Sequence, residues 1–104
     1  MDTLVTTKVT HIITTETNLI VSLSDGRVLF VPLDWYPRLK HGTPAERNNW
    51  ELIGEGEGIH WPDLDEDISL DGLLAGRRSA ESKQSIERWL NQRAQLKQQS
   101  IMAG

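Results

Sequence analysis

VTHIITTETNLIVSLSDGRVLFVP, residues Val9 to Pro32, reads as three β-strands joined by two turns. Val9, His11 and Ile13 alternate with Thr10, Ile12 and Thr14, the period of two expected when successive side chains point to opposite faces of a sheet. LIVSL and RVLFV follow, rich in β-branched residues that suit a pleated surface. Thr15 to Asn18 supplies polar turn chemistry, and Asp25-Gly26, set between Leu23-Ser24 and Arg27-Val28, is the signal of a two-residue type I′ hairpin. Three antiparallel strands are marginal in water by themselves, so one face of this sheet needs a cover from the residues that follow.

After Pro32 the period changes. Leu33, Tyr36, Leu39 and Lys40 fall at helical spacing, which predicts a short helix from about Asp34, its N-cap, to Lys40, ended by Gly42. Pro37 is the irregularity in that segment, since a proline is tolerated only in the first turn. Thr43-Pro44-Ala45-Glu46 carries a capping box, and predicts a second helix to about Asn49. Trp50, Leu52 and Ile53 suggest a short strand, Gly54, Gly56 and Gly58 a tight connector, and Ile59-His60-Trp61 an extended piece. Ile68 to Ala75 reads as a small helix capped by Ser69 or Asp67 and terminated by Gly76. From Ser79 the chain is helix-forming, with a narrow stripe of Ile86, Trp89, Leu90 and Leu96 and a Gln-rich end expected to fray. The expected fold is α+β: a small antiparallel sheet of three to four strands covered by short helices, with residues 1–76 as the core domain and 77–104 as a basic C-terminal helical extension.

Composition narrows the chemistry. The 104 residues suffice for one core, and the absence of cysteine removes disulfides, thiolate nucleophiles and thiolate metal sites. No apolar run approaches the roughly 20 residues that span a bilayer, and MDTLVTTKV lacks the basic-then-apolar build of a signal peptide. The expectation is a cytoplasmic protein with no membrane partner. The net charge of −4 is unevenly divided: residues 1–76 hold 5 basic and 13 acidic side chains, residues 77–104 hold 6 basic and 2 acidic ones. An acidic body repels phosphate backbones, so any binding of DNA rests on the basic tail.

Glu55 to Asp71, EGEGIHWPDLDEDISLD, concentrates the acidity: seven carboxylates, one histidine, one tryptophan and no Lys or Arg. Asp63, Asp65, Glu66 and Asp67 invite a hard cation, but the alternating ligands and central glycine of a calcium loop are missing; capping of the helix near Ile68 is the plainer use. His60 beside these acids has the makings of a general base, yet no nucleophile is signalled. His11, His41 and His60 are scattered, and Glu55 and Glu57 among the glycines oppose a phosphate cradle. No catalytic residue, metal or cofactor is therefore assigned. Of four tryptophans, Trp35, Trp50, Trp61 and Trp89, at least two are expected in the core, while Trp35 with Tyr36 is the expected exposed aromatic patch.

DGRVLFVPLDWYPRL followed by TPAERNNWELIGEGEGIHWPDLDEDISLDGLLAG resembles the domain of unknown function 2442 family over about Val9 to Gly76, with GEGIHWPDLDEDIS the most specific run. The resemblance implies a small antiparallel sheet with short helices. Some members resemble partners of toxin-like proteins of the domain of unknown function 4160 family, and some carry a helix-turn-helix domain after the shared module. Residues 77–104 are too short for such a domain.

The leading expectation is a noncatalytic protein-interaction module, antitoxin-like in role. Trp35, Tyr36, His60, Trp61, Asp63, Asp65, Glu66 and Asp67 would contact a basic, toxin-like protein partner. The alternatives are a regulator that binds DNA through Arg77, Arg78, Lys83, Arg88, Arg93 and Lys97, with a homodimer paired through the C-terminal helix, and a metal-assisted hydrolase using His60 with Asp63 or Asp65.

Overall fold

In the computed structural model, which describes residues 6–103 and only the backbone of 98–103, β1 (Val9–Thr14), β2 (Asn18–Leu23) and β3 (Val28–Pro32) form an antiparallel sheet in the order β1-β2-β3. The expectation drawn from the opening MDTLVTTKV falls in part on residues 1–5, outside the described residues. Two local departures refine the strands. The register slips between Val9, opposite Leu23, and His11, opposite Ser22. This bulge rephases β1, so Val9 and Ile12 both enter the core while His11 and Ile13 face out. The second hairpin closes through three residues instead of the expected two: the Gly26 amide donates to Leu23 O (3.0 Å) and the Leu23 amide to Arg27 O (2.9 Å). A type I′ turn needs positive φ at both central residues, and here only Gly26 has it, at 95°. Asp25 keeps ordinary backbone geometry and its carboxylate accepts from the Arg27 amide (3.0 Å) and Nε (2.8 Å).

One 3₁₀ turn, Leu33–Trp35, precedes α1 (Pro37–His41). The helix expected from Asp34 thus begins at Pro37, because proline is favoured at the first helical position, where its missing N–H costs nothing. Asp34 does not cap it and instead pairs with Lys40 at 3.2 Å. α2 (Pro44–Asn48) shows the full capping box: the Glu46 amide donates to Thr43 Oγ1 (3.1 Å) and the Thr43 amide to Glu46 Oε1 (2.9 Å).

β4 (Glu51–Ile53), β5 (Gly58–Trp61) and β6 (Glu66–Ser69) make a second antiparallel sheet, ordered β4-β5-β6. The strands are therefore shared between two small sheets. β6 is the unexpected one: EDIS has three polar residues in four and reads as the approach to a helix. α3 (Leu70–Leu74) starts after it, with Ser69 Oγ accepting from the Gly72 amide at 3.0 Å. It ends in a Schellman motif, Gly76 N–H to Leu73 O (3.1 Å) and Arg77 N–H to Gly72 O (2.9 Å). The β4–β5 turn ties the sheets together. Gly56 O accepts from the Val9 amide at 2.8 Å, and a Cβ on Gly56 would lie 2.5 Å from Val9 O.

The core lies where the two sheets and the short helices meet. Leu19, Val21, Leu33, Leu39, Ile59, Trp61 and Leu64 are fully buried there; a buried side chain of this kind stabilises by roughly 1.5–3 kcal/mol. Residues 77–82 then cross the body as a strap. Tyr36 Oη donates to Arg77 O (2.9 Å) and the Ser79 amide to Trp35 O (3.0 Å). α4 (Lys83–Ala103) begins after the strap, later than Ser79, with Ser82 Oγ accepting from the Ser85 amide at 3.0 Å. Its apolar stripe is spent on the body at the near end: Ile86 is buried, Trp89 and Leu90 half-buried, and only Leu96 is well exposed. Arg93 donates to both carboxylate oxygens of Glu46, at 2.7 and 3.1 Å. The near end of the stripe is thus packed on the body. The expected fraying falls mainly on residues 98–104, whose side chains lie outside the described ones.

Candidate interaction surface

The register of the second sheet deals the acidic run to different sides. Glu51, His60 and Asp67 are opposite one another, one row across the outward face, whereas Trp61 and Glu66 form the next pair and point inward. Asp67 hydrogen-bonds His60 Nδ1, and that bond raises the imidazole above its ordinary pKa. Asp63, at the β5–β6 turn, accepts from Asn49 Nδ2 at 2.9 Å. Asp65 sits exposed in the left-handed region at φ 49°, with Arg38 NH1 4.0 Å away. None of the four acids caps a helix, contrary to expectation; Ser69 fills that position for α3.

Glu66 is set apart. It is half-buried in a cleft of about 430 Å³ between β6 and the strap, lined also by Tyr36, Arg38, Ile68, Arg78 and Glu81. Loss of hydration, then repulsion from Glu81, pushes its carboxyl up to about 7, against the pull of Arg38. Between its ordinary 4.5 and this value the folded state keeps a proton that the unfolded chain has released, so stability falls as pH rises through that window. Glu66→Gln is expected to raise stability at pH 8 by about 1–2 kcal/mol, after allowance for solvent screening, with the gain fading toward pH 4. Urea titrations of both proteins at the two pH values check this; an equal or negative effect at pH 8 would remove the argument. The His60–Asp67 pair has the same sign, its contribution being present at low pH and lost as pH rises through the raised imidazole pKa.

The aromatic residues expected at the surface are corrected by burial. Trp61 is 0% exposed and its Nε1 donates to Arg47 O at 3.0 Å, so it supports the acidic turn from beneath and is not a surface residue. Tyr36 is 4% exposed, a core residue with its hydroxyl bonded to the strap. Trp35 is half-buried, with the Arg78 guanidinium 4.7 Å from its ring centroid. The segment is ordered because Pro37 opens a regular helix, so no exposed Trp35–Tyr36 patch forms.

Two arginines escaped the sequence reading. Arg38 donates through Nε and NH2 to both oxygens of Glu81 (2.8 and 2.7 Å) and through NH1 to Leu64 O (3.2 Å), with the Trp89 ring 5.0 Å away. Arg47 is buried and donates to Leu39 O and Gly42 O, closing the C-terminal end of α1. Neither is marked out by its neighbours: Arg38 stands two residues before Lys40, and Arg47 lies in the polar run Glu46-Arg47-Asn48-Asn49. Among the described residues no three His, Asp or Glu side chains gather as a metal would require. No described hydroxyl is hydrogen-bonded to His60, and no described helix is long and apolar enough to cross a membrane.

Residues 9–79 match the family model described as a protein of unknown function, DUF2442. The chain belongs to the DUF2442 family. The matched stretch takes in both sheets and ends at Ser79, where the strap is pinned to Trp35; α4 lies beyond it. A protein of unknown function from Rhodospirillum rubrum, known from its crystal structure, is similar at 27% identity and TM-score 0.63, over 73% of this chain and 94% of that one. An uncharacterized protein from Chromobacterium violaceum, solved by solution NMR, is similar at 28% identity and TM-score 0.61, over 70% of this chain and 69% of that one. No curated protein matches the chain. Neither the family description nor these relatives carry an assigned activity, substrate or partner.

Proposed function

We propose that this DUF2442 protein is a noncatalytic interaction module, antitoxin-like in role, that engages a basic protein through the acidic second sheet. The observation that carries the reading is the set of exposed carboxylates Glu51, Glu55, Asp63, Asp65, Asp67 and Asp71 in a stretch with no Lys or Arg. Among the described residues, the one Lys or Arg within ion-pair distance of any of these six is Arg38, at 4.0 Å from Asp65. Asp67 is bonded to His60 and Asp63 to Asn49, while Glu51, Glu55 and Asp71 have no Lys or Arg of the described residues within ion-pair distance and are available to a partner. Their summed field speeds encounter with a positive surface, and the half-exposed Ile53, on the same face as Glu51, supplies apolar contact. Trp61 and Leu64, buried beneath the turn, hold its backbone in place.

The DNA reading has less support. Arg93 is engaged by Glu46, and Arg78 covers Trp35, which leaves Arg77, Lys83, Arg88 and Lys97 to meet phosphates. The test is capture from the host lysate with the full chain and with a variant carrying Asp63→Asn, Asp65→Asn and Asp67→Asn. A stoichiometric basic protein held at low salt, released by high salt and bound at least about tenfold more weakly by the variant is expected. Equal capture by both proteins would reject the acidic sheet as the contact.

A further inference from the structure

The cleft between β6 and the strap holds a charge that the fold does not balance. Glu66 shares the inward side of β6 with the buried Ile68, and Tyr36 and Ala80 also line the cleft, so its carboxyl stands among apolar walls. The other charged groups there are engaged. Arg38 gives Nε and NH2 to the two oxygens of Glu81 and NH1 to Leu64 O, and Arg78 lies over the Trp35 ring. Asp67, at the rim, is bonded to His60, and Asp65 lies 4.0 Å from Arg38. Among the described residues, no side chain donates a hydrogen bond to Glu66, no Lys, Arg or His comes within ion-pair distance of it, and the Asp67 amide alone draws on it from the backbone. Two carboxylates thus share one guanidinium, and the two-point bond to Glu81 leaves Glu66 without a cation.

An unpaired carboxylate among apolar walls is costly, so the cleft is complementary to one further positive charge. A divalent metal fits poorly, because among the described residues no three His, Asp or Glu side chains gather as its ligands. We infer that the cleft binds the end of an alkylammonium ion, its –NH3+ on Glu66 and its methylenes along Ile68, Tyr36 and Ala80. A volume of about 430 Å³ is within the range of small-molecule sites. A lysine side chain and a free aliphatic amine share this chemistry. The assignment does not rest on a partner for the acidic sheet, although a lysine of such a partner would enter over Asp65 and Asp67.

The test is titration of the full chain with n-butylammonium chloride and with Nα-acetyl-lysine amide, read by amide NMR shifts at low salt and about pH 8. Saturable shifts at Ile68, Ser79 and Ala80 are expected, with a Kd on the order of 1 mM. Glu66→Gln should weaken binding at least about tenfold, whereas Glu16→Gln, which removes the same charge from the β1–β2 turn, should change it less than about twofold. Glu66 must ionise to form the pair and its carboxyl sits at about 7, so wild-type binding should also weaken at least about tenfold between about pH 8 and pH 5.5. Tyr36, Arg38 and Glu81, which face it, keep their charge states in that window, the first two being raised and the last lowered. Tighter binding of the lysine amide assigns the site to a protein side chain, and tighter binding of butylammonium assigns it to a free amine. No saturation by about 50 mM, equal binding by Glu66→Gln, or n-butanol binding as tightly as the amine overturns the inference. Inorganic phosphate binding there more tightly than either amine overturns it as well.

Discussion

Trp61→Ala is expected to leave the domain mostly unfolded at room temperature. The indole is 0% exposed and packs within the cluster shared by both sheets. Truncating a buried tryptophan costs about 3–5 kcal/mol through lost burial and the cavity left behind. The change also orphans Arg47 O, which accepts from Trp61 Nε1 at 3.0 Å, and an unsatisfied buried acceptor adds about 1–3 kcal/mol. Against a total of roughly 5–15 kcal/mol for a domain of this kind, little is left. Urea denaturation followed by circular dichroism measures it, with Trp61→Phe expected to fall between wild type and alanine. A loss below about 1.5 kcal/mol for the alanine variant would show that the second sheet does not depend on this side chain.

Arg38→Ala is expected to release the strap. Arg38 joins three elements: its own helix α1, the β5–β6 turn through Leu64 O, and the strap through the two-point bond to Glu81. Glu81 in turn accepts from Ser85 Oγ at 2.6 Å, which carries the connection into the first turn of α4. With the guanidinium gone, Glu81 and the nearby Glu66 repel without a cation between them, and Glu66 is pushed further above its ordinary pKa. Breaking a well-buried pair costs about 3–5 kcal/mol; with solvent reaching this cleft, about 1–3 kcal/mol is expected. Trypsin offers a local readout, because Arg77 and Arg78 lie in the strap. Cleavage there should accelerate at least about tenfold relative to cleavage at Arg27 in the first sheet's hairpin. Unchanged relative rates would mean that the Tyr36 and Ser79 hydrogen bonds alone hold the strap.

What the sequence disclosed follows the range of the interactions involved. The capping box at Thr43–Glu46 and the C-cap at Gly76 were legible because each is decided within a few residues. The three strands of the first sheet were legible through their alternation. The bulge at Val9 and His11 was not, since it depends on where Gly56 docks against β1, 47 positions from Val9 in sequence. β6 was missed for a related reason: Glu66, Asp67 and Ser69 are polar, and the strand exists because Ile59 and Trp61 offer it a paired edge. The acidic run was recognised as a unit, yet its distribution hinged on a register that composition does not contain. One pleat sends Asp67 outward to His60, and the next sends Glu66 inward to the cleft. Trp35 and Tyr36 were misplaced because Pro37, taken as a source of irregularity, is the first residue of a regular helix.

The measurement bearing most directly on the interaction-module account is a nuclease-paired capture at low salt that separates the two charged halves of the molecule. It compares the full chain, the Asp63→Asn, Asp65→Asn, Asp67→Asn variant, and a variant with Arg77, Arg78, Lys83 and Arg88 each changed to Gln. The account predicts a basic protein that survives nuclease, is lost with the carboxylates and is retained by the glutamine variant. Nucleic acid recovered by the wild type and lost only with the arginines and Lys83 would contradict it and place function on α4 and the strap.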